Sequence, residues 1–312
     1  MRAIGRDISE LFGFSPDDMS EEVINYWRAK LCPFRGGACT KFNHDRSVIY
    51  GVCSVTNGAK NGLGDEVIIC PKRLYADSFL TLKDAASVAW PEEDYYFIAD
   101  GDINDLIEKA QEVERSAVAF GQGSGNELSV STANGKLSMD WVIQRYECNG
   151  GLKPLDFIGI EVQSIDITGN YRDVHSAYSS LKNGVRPIEI PNSGHGLNWA
   201  NVHKRLIPQI IRKGNIYREM ERCSGFFFIL PDVVFIKFEE VLGELPEKLG
   251  PSKSNLSILT YCLDGREEHG RKRKLVRKRI KHFALDDIIT AFSSNAGEGP
   301  ALELDNSLLS LL

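Results

Sequence analysis

Two stretches of the chain decide the fold: Leu137-Ser-Met-Asp140-Trp141 and, further on, Phe157-Ile-Gly-Ile-Glu161-Val-Gln163-Ser-Ile-Asp166. Side chains of a β-strand point alternately to its two faces. Read as a strand, the second stretch therefore puts its aliphatic side chains on one face and Glu161 and Gln163 on the other. This pattern predicts a strand that is buried on one side and carries a carboxylate and an amide on the other.

A β-hairpin is predicted just before this strand. Residues 127–131 and 136–141 flank Asn134-Gly135, a dipeptide that suits a two-residue type I′ turn. In that register Ser129 lies opposite Asp140, and the strand pairing decides which side chains share a face. The three strands together are expected to carry four polar side chains on one face: Glu127, Asp140, Glu161 and Gln163.

Carboxylates that crowd together repel one another, so such a group is most stable around a hard cation. Magnesium prefers carboxylate oxygens and water as ligands. The shared polar face is therefore a candidate magnesium site formed by Glu127, Asp140 and Glu161. An ordinary solvated sheet face with surface acids explains the same spacing equally well.

Composition and charge bound the class of protein. A chain of 312 residues with 42% hydrophobic and 26% charged residues is typical of a globular protein with a sizeable core. The net charge of −6 argues against a surface that is basic throughout. Basic residues are nevertheless concentrated between Arg271 and Lys281, where Leu275, Val276 and Ile280 interrupt the run. We interpret this run as an ordered strand with a basic exposed face.

Nothing in the sequence predicts a membrane segment. The amino terminus does not resemble a signal peptide, and the most apolar run, residues 226–238, is interrupted by Pro231-Asp232 and is too short to span a bilayer. We therefore expect a cytoplasmic protein. In a reducing compartment, the seven cysteines are better explained as metal ligands or buried thiols than as disulfides.

Four of the cysteines lie close together in the sequence, among several glycines: Cys32, Cys39, Cys53 and Cys70. Four thiolates can form a tetrahedral zinc or iron site that stabilises a loop-rich segment without a core of its own. The spacing contains no Cys-x-x-Cys pair, so the pattern alone leaves metal binding and buried thiols equally open.

The opening stretches resemble the sparse signature of the PD-(D/E)XK nucleases, an aspartate followed by Glu-x-Lys at the end of a strand, with Gln163 in place of the lysine. More specifically, the chain resembles the NotI-type restriction endonucleases, in which the Glu-x-Gln variant occurs. The resembling blocks follow one another along the chain: Cys32-Pro-Phe, Cys39, Gly51-Val-Cys53-Ser-Val, Cys70-Pro-Lys-Arg73, Asn126-Glu-Leu-Ser-Val-Ser131, Leu137-Ser-Met-Asp140-Trp141, Ile158-Gly-Ile-Glu-Val-Gln163, Asp166, Gly169-Asn-Tyr171 and Asn198-Trp-Ala-Asn-Val-His-Lys-Arg205.

The resemblance implies an α/β fold with a PD-(D/E)XK nuclease core, in which helices flank a mixed central sheet, and a loop-rich N-terminal metal-binding region. We expect residues 1–74 to form the N-terminal helix and the four-cysteine region, and residues 75–312 to form the endonuclease domain. The resemblance also implies that the four cysteines hold a structural metal ion. The sequence does not choose between iron and zinc.

The function that the resemblance implies is that of a type II restriction endonuclease. Such an enzyme makes magnesium-dependent, sequence-specific double-strand cuts in palindromic DNA and acts as a homodimer, with a DNA methyltransferase as its genetic partner. The implied catalytic residues are Asp140, Glu161, Gln163 and Glu127, and magnesium would be held by Asp140, Glu161 and Glu127. Gln163 carries no positive charge and can only orient water or phosphate by hydrogen bonding.

DNA contacts are expected from basic side chains near this centre. Lys204 and Arg205 lie on a predicted helix, and Arg277 and Arg279 lie in the basic run. Contacts of such residues with phosphates position a protein on DNA without reading its sequence. A solvated edge strand that is protected by its charges is the alternative interpretation of the basic run.

Two other classes of function remain open at this point. A DNA repair or defence nuclease of the same fold would share the active site but act on modified or structured DNA. A non-catalytic DNA-binding module stabilised by a metal would require the acidic group to have no chemical role.

Overall fold

The computed structural model describes residues 7–294 and 307, apart from residues 44, 59–64, 100–101, 122–126, 133–134, 150, 186 and 266–268. The β-strands are β1 (Ile8–Leu11), β2 (Val52–Thr56), β3 (Glu66–Ile68), β4 (Tyr96–Ile98), β5 (Arg115–Gly121), β6 (Ser129–Thr132), β7 (Gly135–Ser138), β8 (Trp141–Glu147), β9 (Lys153–Val162), β10 (Ile167–Thr168), β11 (Gly196–Leu197), β12 (Cys223–Pro231), β13 (Asn255–Leu263) and β14 (Leu275–Ala284). The α-helices are α1 (Glu21–Ala29), α2 (Ala76–Ala89), α3 (Ile103–Lys109), α4 (Arg172–Lys182), α5 (Trp199–Glu219), α6 (Asp232–Leu242) and α7 (Leu285–Ser294), and a 3-10 helix covers Pro71–Tyr75.

A seven-stranded mixed sheet forms the centre of the fold, in the order β14-β13-β12-β9-β8-β5-β4. Strand β8 is antiparallel to both β5 and β9, whereas β12 is parallel to both β9 and β13. Helices pack on both sides of the sheet. The predicted α/β architecture, with helices flanking a mixed central sheet, is confirmed and is consistent with a nuclease-like core.

Strand β9 divides the hydrophobic core into two layers, because its side chains alternate between the faces of the sheet. Ile158 and Ile160 pack on one side in the same cluster as Leu82 of α2. Phe157 packs on the other side in the same cluster as Leu206 of α5. Glu161 therefore points toward the α5 side, as the alternating pattern predicted. No helix in the described part of the chain is both long and apolar enough to cross a membrane.

The predicted hairpin is present, but its predicted register is wrong. Strands β6 and β7 form a separate two-stranded sheet in which Ser129 pairs with Ser138, not with Asp140. Thr132 pairs with Gly135, so Gly135 belongs to the strand rather than to the turn, and Asn134 lies outside the described residues. Strand β7 ends before Asp140, which occupies the bend that leads into β8.

The N-terminal part of the chain contains a small sheet in the order β1-β2-β3. Arg73 and Glu10 form an ion pair in which both side chains are 0% exposed. The Arg73 Nη2 atom also donates a hydrogen bond of 2.6 Å to the carbonyl of Arg273, which precedes β14. Phe12 and Trp27 belong to the same hydrophobic cluster as residues of α5. The N-terminal part and the central sheet share a core. The domain boundary at residue 74 stays a prediction.

Candidate active site

The pairing of β8 with β9 brings Asp140 and Glu161 together. Trp141 pairs with Ile160, so the residues before and after them in the two strands are neighbours. The backbone N–H of Asp140 donates to Oε1 of Glu161 at 3.3 Å, and Oδ2 of Asp140 accepts from the backbone N–H of Val162 at 3.0 Å. Each carboxylate is thus held by a backbone N–H: that of Glu161 from the bend before β8, and that of Asp140 from the end of β9.

Lys213 of α5 completes this centre, and the sequence analysis missed it. Its ammonium forms an ion pair with Oε2 of Glu161. The Lys213 side chain is 3% exposed and the Glu161 side chain is 0% exposed. Burying two charges is costly unless they are paired and hydrogen-bonded, and this pair meets that condition.

A signal for Lys213 was present in the sequence. The buried residues of α5 follow one another at helical spacing, and Lys213 occupies a position within that stripe: Val202, Leu206, Ile210, Lys213 and Tyr217. A lysine at a position where the periodicity predicts an apolar residue indicates a buried partner of opposite charge. The periodicity does not indicate which acid supplies that charge.

Close packing of α5 on β9 fixes the position of Lys213. A Cβ atom on Gly159 would lie 2.1 Å from Cζ of Tyr217, so only a glycine lets the Tyr217 ring lie against the strand. Tyr217 follows Lys213 by about one helical turn. Gly159 therefore sets how closely the helix approaches Glu161.

The electrostatics of the pair favour an additional positive charge. Burial and the neighbouring Asp140 raise the pKa of Glu161, Lys213 lowers it, and the net result is a pKa of about 8. Burial also raises the pKa of Asp140, whereas Lys213 and the Val162 N–H lower it. One ammonium thus faces two carboxylates. A hard cation with oxygen ligands would offset the remaining charge.

The other two predicted catalytic residues are placed differently. Glu127 is exposed and lies just before β6, where it is close enough to Asp140 to raise the pKa of that carboxyl. The side-chain amide of Gln163 donates a 2.7 Å hydrogen bond to the carbonyl of Ser164, next to it in the chain. Glu127 thus borders the carboxylate pair, while the Gln163 amide is bonded to the backbone of the next residue.

The four clustered cysteines are all buried, and all are free thiols. Burial raises the pKa of Cys39, Cys53 and Cys70, and nearby thiols of the same group raise it further. The structure therefore brings the four sulfur atoms into one neighbourhood, and a set of thiolates fits zinc or iron. In the part of the chain described, however, no three Cys, His, Asp or Glu side chains already form a metal-binding arrangement, at either the thiol or the carboxylate group.

Three of the four predicted DNA-contacting residues form ion pairs within the chain. Arg205 pairs with Asp166 at 2.9 Å. Arg277 pairs with Asp84 at 3.3 Å, and Arg279 pairs with Asp232 at 2.9 Å. Strand β14, which carries Arg277 and Arg279, is an edge strand separated from β9 by β13 and β12. Lys204 is exposed on α5.

A mixed α/β sheet with two neighbouring carboxylates is consistent with a nuclease-like core. The family is shown by comparison with known proteins. The family model described as "Restriction endonuclease NotI" matches residues 19–264, which include both carboxylates and all four clustered cysteines. The chain belongs to the NotI restriction endonuclease family. A search of curated proteins found no match. The predicted resemblance to the NotI-type restriction endonucleases is confirmed: the protein is a restriction endonuclease, a hydrolase whose substrate is DNA.

Proposed function

We propose that this enzyme is a type II restriction endonuclease that makes magnesium-dependent, sequence-specific double-strand cuts in palindromic DNA. The observation that supports this proposal is the pair of Asp140 and Glu161, which are held side by side by hydrogen bonds across β8 and β9. Carboxylates that are fixed in this way match the hard oxygen ligands that magnesium prefers.

Asp140 and Glu161, joined by Glu127 from the segment before β6, would hold the magnesium. The bound metal supplies an activated water and stabilises the charge that develops on the phosphate oxygens. The chain contributes orientation. The Val162 N–H fixes Asp140, while the Asp140 N–H and Lys213 fix Glu161. Gln163 has no group that can act as a base, so its proposed role is to orient water or phosphate by hydrogen bonding.

The proposal gives the four cysteines a structural role. Cys32, Cys39, Cys53 and Cys70 would hold one iron or zinc ion, which would stabilise the loops that connect these residues. Burial and mutual proximity of free thiols support this role.

A palindromic site has twofold symmetry, and a cut in both strands requires two active sites. We therefore propose a homodimer with matching symmetry. Lys204, Arg205, Arg277 and Arg279 are proposed to contact phosphates, and for the three arginines this would mean exchanging an acid of the chain for a phosphate. The protein is proposed to act in the cytoplasm, with a cognate DNA methyltransferase as its genetic partner.

The proposed function is tested by digesting unmethylated bacteriophage and plasmid DNA with the purified protein. The reactions contain magnesium or a chelator, and Asp140→Ala is compared with wild type. Glu147→Ala is the matched control, because Glu147 is a partly exposed acid at the far end of β8. Discrete magnesium-dependent bands with wild type and with the control, but not with Asp140→Ala, are expected. If wild type binds DNA without cutting it, the proposal fails, and a nuclease for modified DNA or a DNA-binding module takes its place.

A further inference from the structure

Lys213 places a buried positive charge directly against one of the two carboxylates. Its ammonium pairs with Oε2 of Glu161, while Oε1 of the same carboxylate accepts from the backbone of Asp140. Both oxygens of Glu161 are therefore oriented by donors from different elements. The helix and the strand together determine the direction in which this carboxylate points.

The position two residues after Glu161 does not supply this charge. The backbone N–H of Gln163 donates to the carbonyl of Ile229 at 3.1 Å, so the pairing of β9 with β12 continues to residue 163. Residues 161 and 163 consequently share a face of the sheet. A lysine at position 163 would be on the same face as Glu161, but this chain has an uncharged amide there, bonded to the Ser164 carbonyl.

The location of Lys213 is difficult to explain by packing alone. It lies between Ile210 and Tyr217 on the buried stripe of α5. Replacing a buried ion pair by apolar residues of similar volume is often neutral or stabilising. A lysine that served only to fill space would therefore be a poor choice at this position.

We propose that Lys213 is a positioning residue for DNA cleavage, which supplies to Glu161 from α5 the positive charge that a lysine at position 163 would supply from β9. This inference rests on the proposed function, because it assigns the residue to the same carboxylate centre. It adds to that centre a residue from a different element of the fold.

The first test is a rescue experiment. Single-turnover cleavage with magnesium is measured for wild type, Lys213→Met and the double variant Lys213→Met/Gln163→Lys. The loss of one preorganised charge is expected to slow cleavage by about 100-fold. Moving the lysine to position 163 is expected to restore most of that loss. Lys237→Met is the control, because Lys237 pairs with Glu240 on the exposed face of α6, and this variant should cut at the wild-type rate.

A second measurement does not depend on cleavage. Melting temperatures are measured in chelator for Lys213→Met, Glu161→Gln and the double variant. Removing Lys213 leaves Glu161 buried without its partner, so the single variant is expected to melt below wild type. The double variant is expected to melt above Lys213→Met, because the buried carboxyl that lost its partner is replaced by an amide. If the change in melting temperature of the double variant equals the sum of the changes of the two single variants, the pairing is contradicted.

Two results would overturn the inference. One is wild-type cleavage by Lys213→Met, and the other is a loss of cleavage that Gln163→Lys does not restore. If Lys213→Met does not fold, Lys213→Gln replaces it, because a glutamine can still donate a hydrogen bond to Glu161 but carries no charge. Failure of wild type to cut any DNA would refute the proposed function instead, and the melting series would still test the pair.

Discussion

Replacing Gly159 by alanine tests whether the approach of α5 to β9 holds the active site together. The added Cβ would lie 2.1 Å from Cζ of Tyr217, whereas an ordinary contact is 3.4 Å or longer. The ring or the strand would have to move by the difference, about 1.3 Å. Tyr217 belongs to the same helix as Lys213 and follows it by about one turn, so this movement would also shift the ammonium away from Glu161.

The size of the effect follows from the cost of overpacking a core, about 1–3 kcal/mol. For a chain of 312 residues, that cost corresponds to a decrease in melting temperature of about 2–5 °C. Cleavage should fall as well, because a displacement of about 1 Å at a catalytic group can cost about 100-fold in rate.

The assay combines thermal unfolding with DNA cleavage. Gly250→Ala is the control, because a Cβ at that position meets nothing within 4 Å. In the double variant Gly159→Ala/Tyr217→Leu the ring is absent, so part of the lost stability should return. If Gly159→Ala melts and cuts like wild type, the close approach of α5 to β9 does not hold the active site together.

Three further predictions concern other parts of the molecule. The pKa of Glu161 is raised from its ordinary value of 4.5 to about 8 in the folded protein. Between these two pH values the metal-free folded protein keeps the Glu161 proton that the unfolded chain has lost, so the free energy of unfolding should fall as the pH rises. Urea unfolding of wild type and Glu161→Gln in chelator checks this, and an equal pH dependence in both would contradict it. Cys70→Ser should lose bound iron or zinc and lower the melting temperature, whereas Cys262→Ser, outside the cluster, should do neither; elemental analysis that finds equal metal in both variants would refute the four-cysteine site. Arg73→Met should destabilise the fold by about 3–5 kcal/mol, because it leaves Glu10 buried without its partner. The double variant Arg73→Met/Glu10→Leu should recover most of this loss in urea unfolding, and no recovery would contradict the prediction.

Features that depend on local sequence were predictable. The alternation in β9 placed Glu161 on the opposite face from Ile158 and Ile160, and the structure has this arrangement. The hairpin register was not predictable in the same way, because the choice of the two turn residues decides the partner of every residue in both strands. With Asn134-Gly135 as the turn, the predicted partners differ from those in the structure. The structure pairs Thr132 with Gly135, which leaves Asp140 free to form the bend before β8.

The role of Lys213 and the pairing of the basic run depend on tertiary contacts. The helical periodicity of α5 marks Lys213 as buried, but its partner Glu161 comes from a strand that is distant in sequence. The basic run similarly suggested a free surface, yet Arg277 and Arg279 meet Asp84 and Asp232 from helices that pack nearby. A single sequence gives no direct signal for contacts between elements that are far apart along the chain.

We propose that the carboxylate pair makes the protein a sequence-specific nuclease. The most direct test of this role is to digest unmethylated bacteriophage DNA with magnesium and to sequence all of the ends that are produced. The ends from wild type are expected to fall within one short palindromic sequence, and Glu161→Gln is expected to produce none. Ends scattered over unrelated sequences, or equal cutting by the Glu161→Gln variant, would contradict it.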